Sequence, residues 1–567
     1  MSKKIIESFT REDLILIFII TLAFLLRFFG VSFGLPYLYH TDEPIVVNHA
    51  LAYASGDLNP HFFKIPPLIS YLLFIVYGVY YVIGKFCGVF GGVEDFSRLF
   101  LTNPTTFYLI ARIFFGVIAG TLSVYALYRL VQKYFSVEHA LVSAFFFAVT
   151  FLHVRDSHYV YVDIPVVLAL IVCFYFIFEI LSTGKRKAYF WFGVTYGIAT
   201  GVKYNAVFVI IPFFLAHVLS CRSRKVQLID FNLIMSLVLS GVVFFAANPF
   251  ALIDFSTFSA EILHQAGAEG MQTWFHHLAY SLAGGLGIPL LAIALYGLLR
   301  GCFYREPKRW ILCSFIICYY LVLCFKSQSF ARYALPIVPF VCFFAADGLI
   351  TISSQGGWKK ALPLTCVLVM MPSLYKVILS DDLFLRGDVR TEAKQWVNNE
   401  IPAHAKIALD ENFFMPQLKM DLRQLLEKRQ EILGGERHYS SIQKKRLDIL
   451  IDQAQKEGDH SYELYFLKQN SFGQNFLFST PSVPLDLSYL KKIGIQFLIL
   501  TKTEKENANF YKLVRESGSL VKRFTPYKDI SMEWPIDRLA LTGGPFLLED
   551  LISRNKNGEV VEIYRLS

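Results

Sequence analysis

Charge is scarce in this chain. Only 17% of its 567 residues are Asp, Glu, Lys or Arg, while 54% are hydrophobic. A soluble protein carries about a quarter charged residues, so a wholly water-soluble fold is excluded and most of the chain belongs in a membrane. Paired cysteines are missing too. The nine cysteines all precede residue 367 and none forms a CxxC pair, which argues against a disulfide scaffold or a zinc ribbon. No internal repeat or low-complexity tract is visible. The opening "MSKKIIESFTRED" leads into an apolar run too long for a signal peptide and lacking a small-residue cleavage site. It reads as a retained first span.

What is abundant agrees with a membrane protein. Phe occurs 54 times and Tyr 31, as in chains that line lipid and its interfaces, and the mean hydropathy is +0.45. Apolar segments of spanning length begin near Leu14, Thr105, Ala140, Val160, Ala188, Ala206, Phe231, Ser281, Trp310, Ala334 and Ala361. One more, "PPLISYLLFIVYGVYYVIG" (Pro66–Gly84), is ambiguous because it starts with two prolines. The net charge of +9 resolves it, being spread in short clusters such as Lys3/Lys4/Arg11, Arg129/Lys133, Lys185/Arg186/Lys187 and Arg300/Arg305/Lys308/Arg309. If Pro66–Gly84 does not fully cross, every basic cluster falls on the cytoplasmic side, as the positive-inside rule requires. The expectation is therefore about 11 crossings, with Pro66–Gly84 lying at or re-entering the outer face.

This parity predicts a polytopic α-helical transmembrane module over residues 1–380, with a first outer loop at 34–103 and another at 251–280. From 381 to 567 the sequence turns polar, with helix-like stretches ("TEAKQWVNNEI", "KKRLDILIDQAQKEG") and strand-like ones ("KIALD", "QFLIL", "VVEIYRL"). It reads as an extracytoplasmic α/β domain. Acids and cations gather on the same predicted outer face, while the opposing loops are short and basic.

Asp42 and Glu43, in "YHTDEPIVVNHA", follow the first span directly. Pro44 suits the first helical turn, so a helix cap is the plain alternative. Two adjacent acids at a membrane face point instead to function, because ionisable groups are expensive there. Asp163, in "YVYVDIP", offers the same choice before Pro165. Arg155, Asp156 and His158 share its loop, and Arg155 with Asp156 could simply be a closed ion pair. Among the cations, Lys203 lies in "GVKYNAVF" beside Tyr204, Arg332 lies in "SFARYALPIVP", and Lys64 lies in the first outer loop. Arg27 and Arg112 sit about two turns inside their spans. Snorkelling to headgroups is the default for any one of them. Together they suit an anionic, phosphate-bearing lipid. Carboxylates that accept a proton beside cations that hold a phosphate are what group transfer from a lipid phosphate needs.

At these residues the chain resembles membrane glycosyltransferases of the GT-C superfamily. It is most similar to the family 39-like, phospholipid-carrier-dependent branch of protein O-mannosyltransferases and aminoarabinose transferases. The resemblance rests on an ordered series over roughly residues 10–350: "HTDEP", "KIPPLISYLL", "ARIFFGVIAGTLSVYALYRL", "HVRDSHYVYVDIP", "GIATGVKYNAVFVIIP", "NPF" and "RYALPIVPF". It implies a GT-C transmembrane fold with outer juxtamembrane helices and a polyprenyl- or dolichyl-phosphate sugar donor. Transfer is expected to be inverting and extracytoplasmic, to a lipid, glycan or protein acceptor. Asp42 matches the base with Glu43 its neighbour, Asp163 the acid orienting the acceptor, and Lys203, Arg112 and Arg332 positions near the donor phosphate. Arg27 joins that cationic set by its position, and Lys64, Arg155, His158 and Tyr204 are further substrate-site candidates.

In the outer loop, His264, Glu269, His276 and His277 have the residue types of a metal set, and equally of a substrate gate or a solvated loop. The resemblance implies a donor that needs no metal, so no cofactor is expected. The competing reading is a transporter or flippase for an anionic polyprenyl-linked lipid, whose inverted repeats and broken spans are not visible in the sequence. A non-catalytic scaffold has no need of carboxylates from separate loops. A multi-pass protein, fitting a prokaryotic cell membrane, with no nucleic-acid partner, is the expectation.

Overall fold

The apolar runs become helices in the computed structural model, which describes residues 10–266, 274–325, 330–410, 415–433, 441–456, 460–467, 483–501, 508–532 and 546–566. Among these, seven helices are long and apolar enough to cross a membrane: Leu68–Phe86, Thr105–Tyr134, Asp163–Thr183, Tyr204–Arg224, Pro307–Cys324, Ala331–Gln355 and Lys359–Leu385. An eighth is formed if His277–Leu286 and Ile288–Phe303, bent by 115°, count as one broken span. Val137–Val149 and Phe231–Ala247 are shorter apolar helices. Arg11–Phe28 and Arg186–Val202 are helical as well. The sequence expectation of a mostly helical membrane fold with a small sheet towards the C-terminus is met. No broken span is visible in the sequence, and the bend between His277–Leu286 and Ile288–Phe303 falls at Gly287, where φ is +89°.

The chain folds into two compact units. One comprises residues 1–31, 57–75 and 110–381; the other comprises 32–56, 76–109 and 382–567. Helix packing in the first unit relies on small-xxx-small spacing, which lets backbones approach where lipid offers no hydrophobic drive. On Arg186–Val202, Gly193 and Gly197 face Phe231–Ala247. A Cβ there would come within 2.7 Å of the Ser236 carbonyl oxygen and 2.6 Å of that of Ser240. On Ile288–Phe303, a Cβ on Gly297 would lie 2.0 Å from the Phe344 carbonyl oxygen. One buried acid within the helices is fully engaged. Buried Asp347 takes Arg309 at 2.6 Å, His139 at 3.3 Å and Arg300 at 3.4 Å, which removes the cost of an isolated intramembrane carboxylate.

The second unit holds a five-stranded sheet of β1 (Lys406–Leu409), β2 (Glu463–Phe466), β3 (Phe497–Thr501), β4 (Ser519–Phe524) and β5 (Val561–Arg565). The order is β2-β1-β3-β5-β4. β1 runs parallel to β2 and β3, and β5 runs antiparallel to β3 and β4. Alternation along the strands builds a core on each face. Ile407, Leu409, Ile499 and Ile563 pack with the Val389–Glu400 helix through Val389, Ala393 and Val397. Ala408, Leu498, Leu500 and Tyr564 pack with Leu490, Phe510 and Val514. The parallel strands β1, β2 and β3 are covered on both faces, as parallel pairing favours, whereas the edge strand β4 is mostly exposed. A buried ionic knot lies beside it: Arg390 grips Asp388 through Nε at 2.8 Å and Nη2 at 2.6 Å, and stacks 3.7 Å from the Tyr39 ring centroid.

Candidate active site: a caged ion cluster and two first-loop acids

Two interruptions of helix and one helix start assemble the charged centre of the first unit. The Arg186–Val202 helix ends where Lys203 adopts an extended backbone (φ −154°, ψ 128°), before the short Tyr204–Val209 helix. Asp163 opens the Asp163–Thr183 helix. Arg332 lies in the tight Ala331–Ile337 turn preceding Val338–Gln355. These breaks project side chains that a continuous span would have turned toward lipid or protein. Lys203 Nζ bonds Asp163 Oδ1 at 2.5 Å. Arg332 Nε stands 3.8 Å from Asp163 Oδ2. The helix-cap alternative for Asp163 thus gives way to an ion cluster of two cations on one carboxylate. Asp163 Oδ2 makes no hydrogen bond among the described residues.

Aromatic rings wall this cluster. The Arg332 guanidinium lies 5.0 Å from the Tyr161 ring centroid and 4.8 Å from that of Phe330, and Lys203 Nζ lies 5.4 Å from that of Tyr333. Cations held over π faces lose part of their hydration without losing a favourable electrostatic partner. Beneath them, Asn205 bonds the hydroxyl of buried Tyr319, which in turn donates to the Tyr333 carbonyl at 3.3 Å. Tyr161, Tyr319, Tyr333 and Asn205 were not singled out from the sequence. The signal available was adjacency: tyrosines flank the charge in both "YVD" and "ARY".

The loop before Asp163 is held by an internal polar network. Arg155 and Asp156 close on each other at 3.0 Å, both buried, the local pair that the sequence left open. Burial pushes the Asp156 carboxyl above its ordinary range, Arg155 opposes this, and the nearby Asp163 charge adds to it. His158 Nε2 lies 2.7 Å from the Phe29 carbonyl oxygen and 3.5 Å from Asp381. Burial lowers its pKa to about 4. Arg27 points inward, bonding the carbonyls of Ala23 (2.7 Å) and Ala148 (3.0 Å) and His153 Nδ1 (2.9 Å). Arg112 donates to the Val31 carbonyl at 2.7 Å and lies 5.9 Å from the Tyr159 ring centroid. Gly116 and Gly120 give the loop its seat: a Cβ at either would meet Ser157, its carbonyl oxygen at 2.1 Å and its hydroxyl at 2.7 Å respectively. Of the network partners, His153 opens the quoted "HVRDSHYVYVDIP" stretch but was not singled out, and Asp381 lies outside every quoted motif.

Tyr204 ties down the segment before Leu68–Phe86 by bonding the Phe63 carbonyl at 3.0 Å, and the Phe63 N–H bonds Glu261. Lys64, next to Phe63, is exposed and lies 6.0 Å from the Phe62 ring centroid. His264 is exposed, His276 stacks on Tyr280 at 5.3 Å, and His277 pairs with Ser281 at 2.8 Å. Glu269 lies outside the described residues. Among those described, no three potential metal-ligating acids, histidines or cysteines are grouped.

Asp42 and Glu43 belong to the second unit. Asp42 sits at the N-cap position of the Glu43–Ala52 helix but makes no side-chain cap bond, and Pro44 occupies the first turn. The Asp42 N–H lies 3.3 Å from His40 Nδ1 and the Thr41 hydroxyl 3.4 Å from Asp42 Oδ1. Both acids are buried, Glu43 completely. Capping therefore does not account for Asp42.

Residues 105–249, about a quarter of the chain, match the family described as dolichyl-phosphate-mannose-protein mannosyltransferase. The resemblance to GT-C glycosyltransferases is borne out over this segment, and with it the expectation of a transferase. No curated protein matches the chain. Among solved structures, ArnT from Cupriavidus metallidurans in the apo state is 11% identical, with a TM-score of 0.47, over 90% of this chain and 96% of that one. ArnT bound to undecaprenyl phosphate is 12% identical, with a TM-score of 0.45 and the same coverage. The apo oligosaccharyltransferase of Archaeoglobus fulgidus is 10% identical, with a TM-score of 0.48, over 87% of this chain and 69% of that one.

Proposed function

We propose that this protein is an integral-membrane glycosyltransferase that moves a sugar from a polyprenyl- or dolichyl-phosphate carrier to an acceptor on the extracytoplasmic face, with inversion at the anomeric carbon. The observation that carries the reading is the Lys203–Asp163–Arg332 cluster, part of which falls within the segment matching a lipid-phosphate-sugar-dependent family. Lys203 and Arg332 hold the donor phosphate, and Asp163 sets their geometry and orients the acceptor. An acceptor oxygen or nitrogen attacks the anomeric carbon as the bond from that carbon to the phosphate oxygen breaks. Asp42 takes the acceptor's proton as general base, with Glu43 its neighbour, and the lipid phosphate leaves as an anion stabilised by the cations. A wholly apolar and aromatic cavity of about 320 Å³, lined by Trp274, Leu278, Leu298, Tyr320 and Phe344 among others, suits part of the carrier's isoprenoid chain. No metal or other cofactor takes part in this scheme.

The test uses protein in nanodiscs, a panel of radiolabelled polyprenyl-phosphate sugars and a membrane extract as acceptor source. Label should reach a new species with wild type and not with Asp42→Asn, while donor binding persists. Unchanged turnover in Asp42→Asn removes that residue from the role. The transporter reading draws on one observation, the helix pair bent by 115° at Gly287, since broken spans mark transporter sites. Vectorial movement of intact donor without released polyprenyl phosphate would establish it instead.

A further inference from the structure

The second unit contains a cavity of about 310 Å³, within the range of small-molecule sites. It lies wholly within that unit, between the sheet face formed by Leu409, Leu464 and Phe466 and the helices Leu422–Leu433 and Ser441–Lys456. Its remaining rim comes from the 36–38 and 100–104 segments. Its described lining carries cations from several elements. Lys394, Lys419 and Arg446 line it from three separate elements together with His460, and no Asp or Glu is among the described lining residues.

These cations are held in place. Lys394 Nζ lies 4.4 Å from the Tyr37 ring centroid, and Arg446 lies within electrostatic reach of Tyr108. Burial, and then the neighbouring Lys419 ammonium, push Lys394 below the usual lysine range, and burial does the same to Arg446. An anion entering the cavity gains from all three cations. A single carboxylate offsets one positive charge, whereas a phosphate monoester carries close to two negative charges at neutral pH and three acceptor oxygens. The cavity also has an apolar side formed by Phe100, Leu101, Met415 and Leu450.

We infer that this cavity is a binding site for a phosphate-bearing ligand with an apolar portion, distinct from the Lys203–Arg332 cluster. The inference does not depend on the proposed transferase activity. The phosphate could be that of a lipid headgroup or of a soluble metabolite, and the assay separates these sources.

Full-length protein in phosphatidylcholine nanodiscs is titrated with dioctanoyl phosphatidic acid, dioctanoylglycerol and inorganic pyrophosphate, with heat of binding as the readout. Saturable binding of phosphatidic acid is expected, weakened at least tenfold by raised salt and by K394Q/K419Q. Ala454→Phe adds bulk to the cavity wall without changing its charge and should weaken binding to the same extent. If the charge variant fails to fold, the Ala454→Phe arm decides alone. A lipid preference assigns the phosphate to a headgroup, and pyrophosphate binding as tightly as the lipid overturns the apolar portion of the ligand and leaves a soluble phosphate. Equal affinity for dioctanoylglycerol, or phosphatidic acid binding unmoved by Ala454→Phe, overturns the inference. Because no sugar transfer is read, failure here leaves the transferase proposal standing, and the reverse holds too.

Discussion

Asp163 is engaged by two cations, and this asymmetry makes the cluster testable by a double-mutant cycle. Lys203 bonds it at 2.5 Å and Arg332 stands 3.8 Å away, with Asp163 and both cations largely buried. At an effective dielectric of about 20, unit charges 3.8 Å apart interact by roughly 4 kcal/mol, and desolvation consumes much of that. Asp163→Asn removes both attractions and leaves two like charges facing each other. It should cost about 3–5 kcal/mol, the range for breaking a buried pair. Lys203→Met leaves Asp163 with Arg332 and should cost less, about 1–3 kcal/mol. In the double variant Arg332 faces no acid but no longer faces Lys203 either, so the losses should fall short of additivity by about 1–3 kcal/mol. The assay is reversible unfolding in mixed micelles, fitted for all four proteins. Transfer is measured in parallel. The double variant should be more stable than the summed single losses predict while sugar transfer stays absent, because the phosphate has lost Lys203. Additive losses within about 0.5 kcal/mol would refute the ion cluster as the organising contact. Full transfer by the double variant would refute its role in holding donor phosphate.

Three further outcomes follow from the geometry. Gly116→Val forces a side chain against the Ser157 carbonyl, where even a Cβ would sit at 2.1 Å, so both the unfolding midpoint and transfer should fall. Gly241→Ala, which has nothing within 4 Å, should change neither. His158, its pKa lowered to about 4 by burial against an unfolded value near 6.5, is neutral when folded and takes up a proton on unfolding. The unfolded state therefore binds more protons between pH 4 and about 6.5, so this contribution is complete above that window and is lost as pH falls through it. It amounts to roughly 3 kcal/mol, and His158→Gln should flatten that part of the stability–pH profile, a profile unchanged by the substitution counting against buried neutral histidine. In the second unit, Arg390→Ala strands Asp388 and removes the stacking on Tyr39. It should cost about 3–5 kcal/mol and expose the unit to limited proteolysis, with Arg390→Lys rescuing little because an ammonium lacks the two-pronged geometry.

Much of the architecture was legible because its signals are local. Apolar length announces a span, and alternation in "KIALD" and "QFLIL" announces β1 and β3. Lys203 and Arg332 stood out because charges at span boundaries are rare enough to question individually. The small-xxx-small pairs at Gly193/Gly197 and Gly297/Gly301 are equally local, but only the facing carbonyls show which helix each one meets.

The sequence by itself determined the membrane setting, the helical majority, the polar α/β tail and which charged residues needed explaining, since these follow from composition and short-range periodicity. Only the tertiary structure decided how those charges are used. It closed Arg155 on Asp156, turned Arg27 to backbone carbonyls and His153, and joined Lys203 to Asp163 across 40 positions of chain. It also formed the cationic cavity of the second unit from residues as far apart as Tyr37 and Phe466. The physical reason is range. Burial and hydrogen-bond geometry set whether a charge is structural glue or an available site, and both depend on neighbours that one-dimensional spacing does not specify.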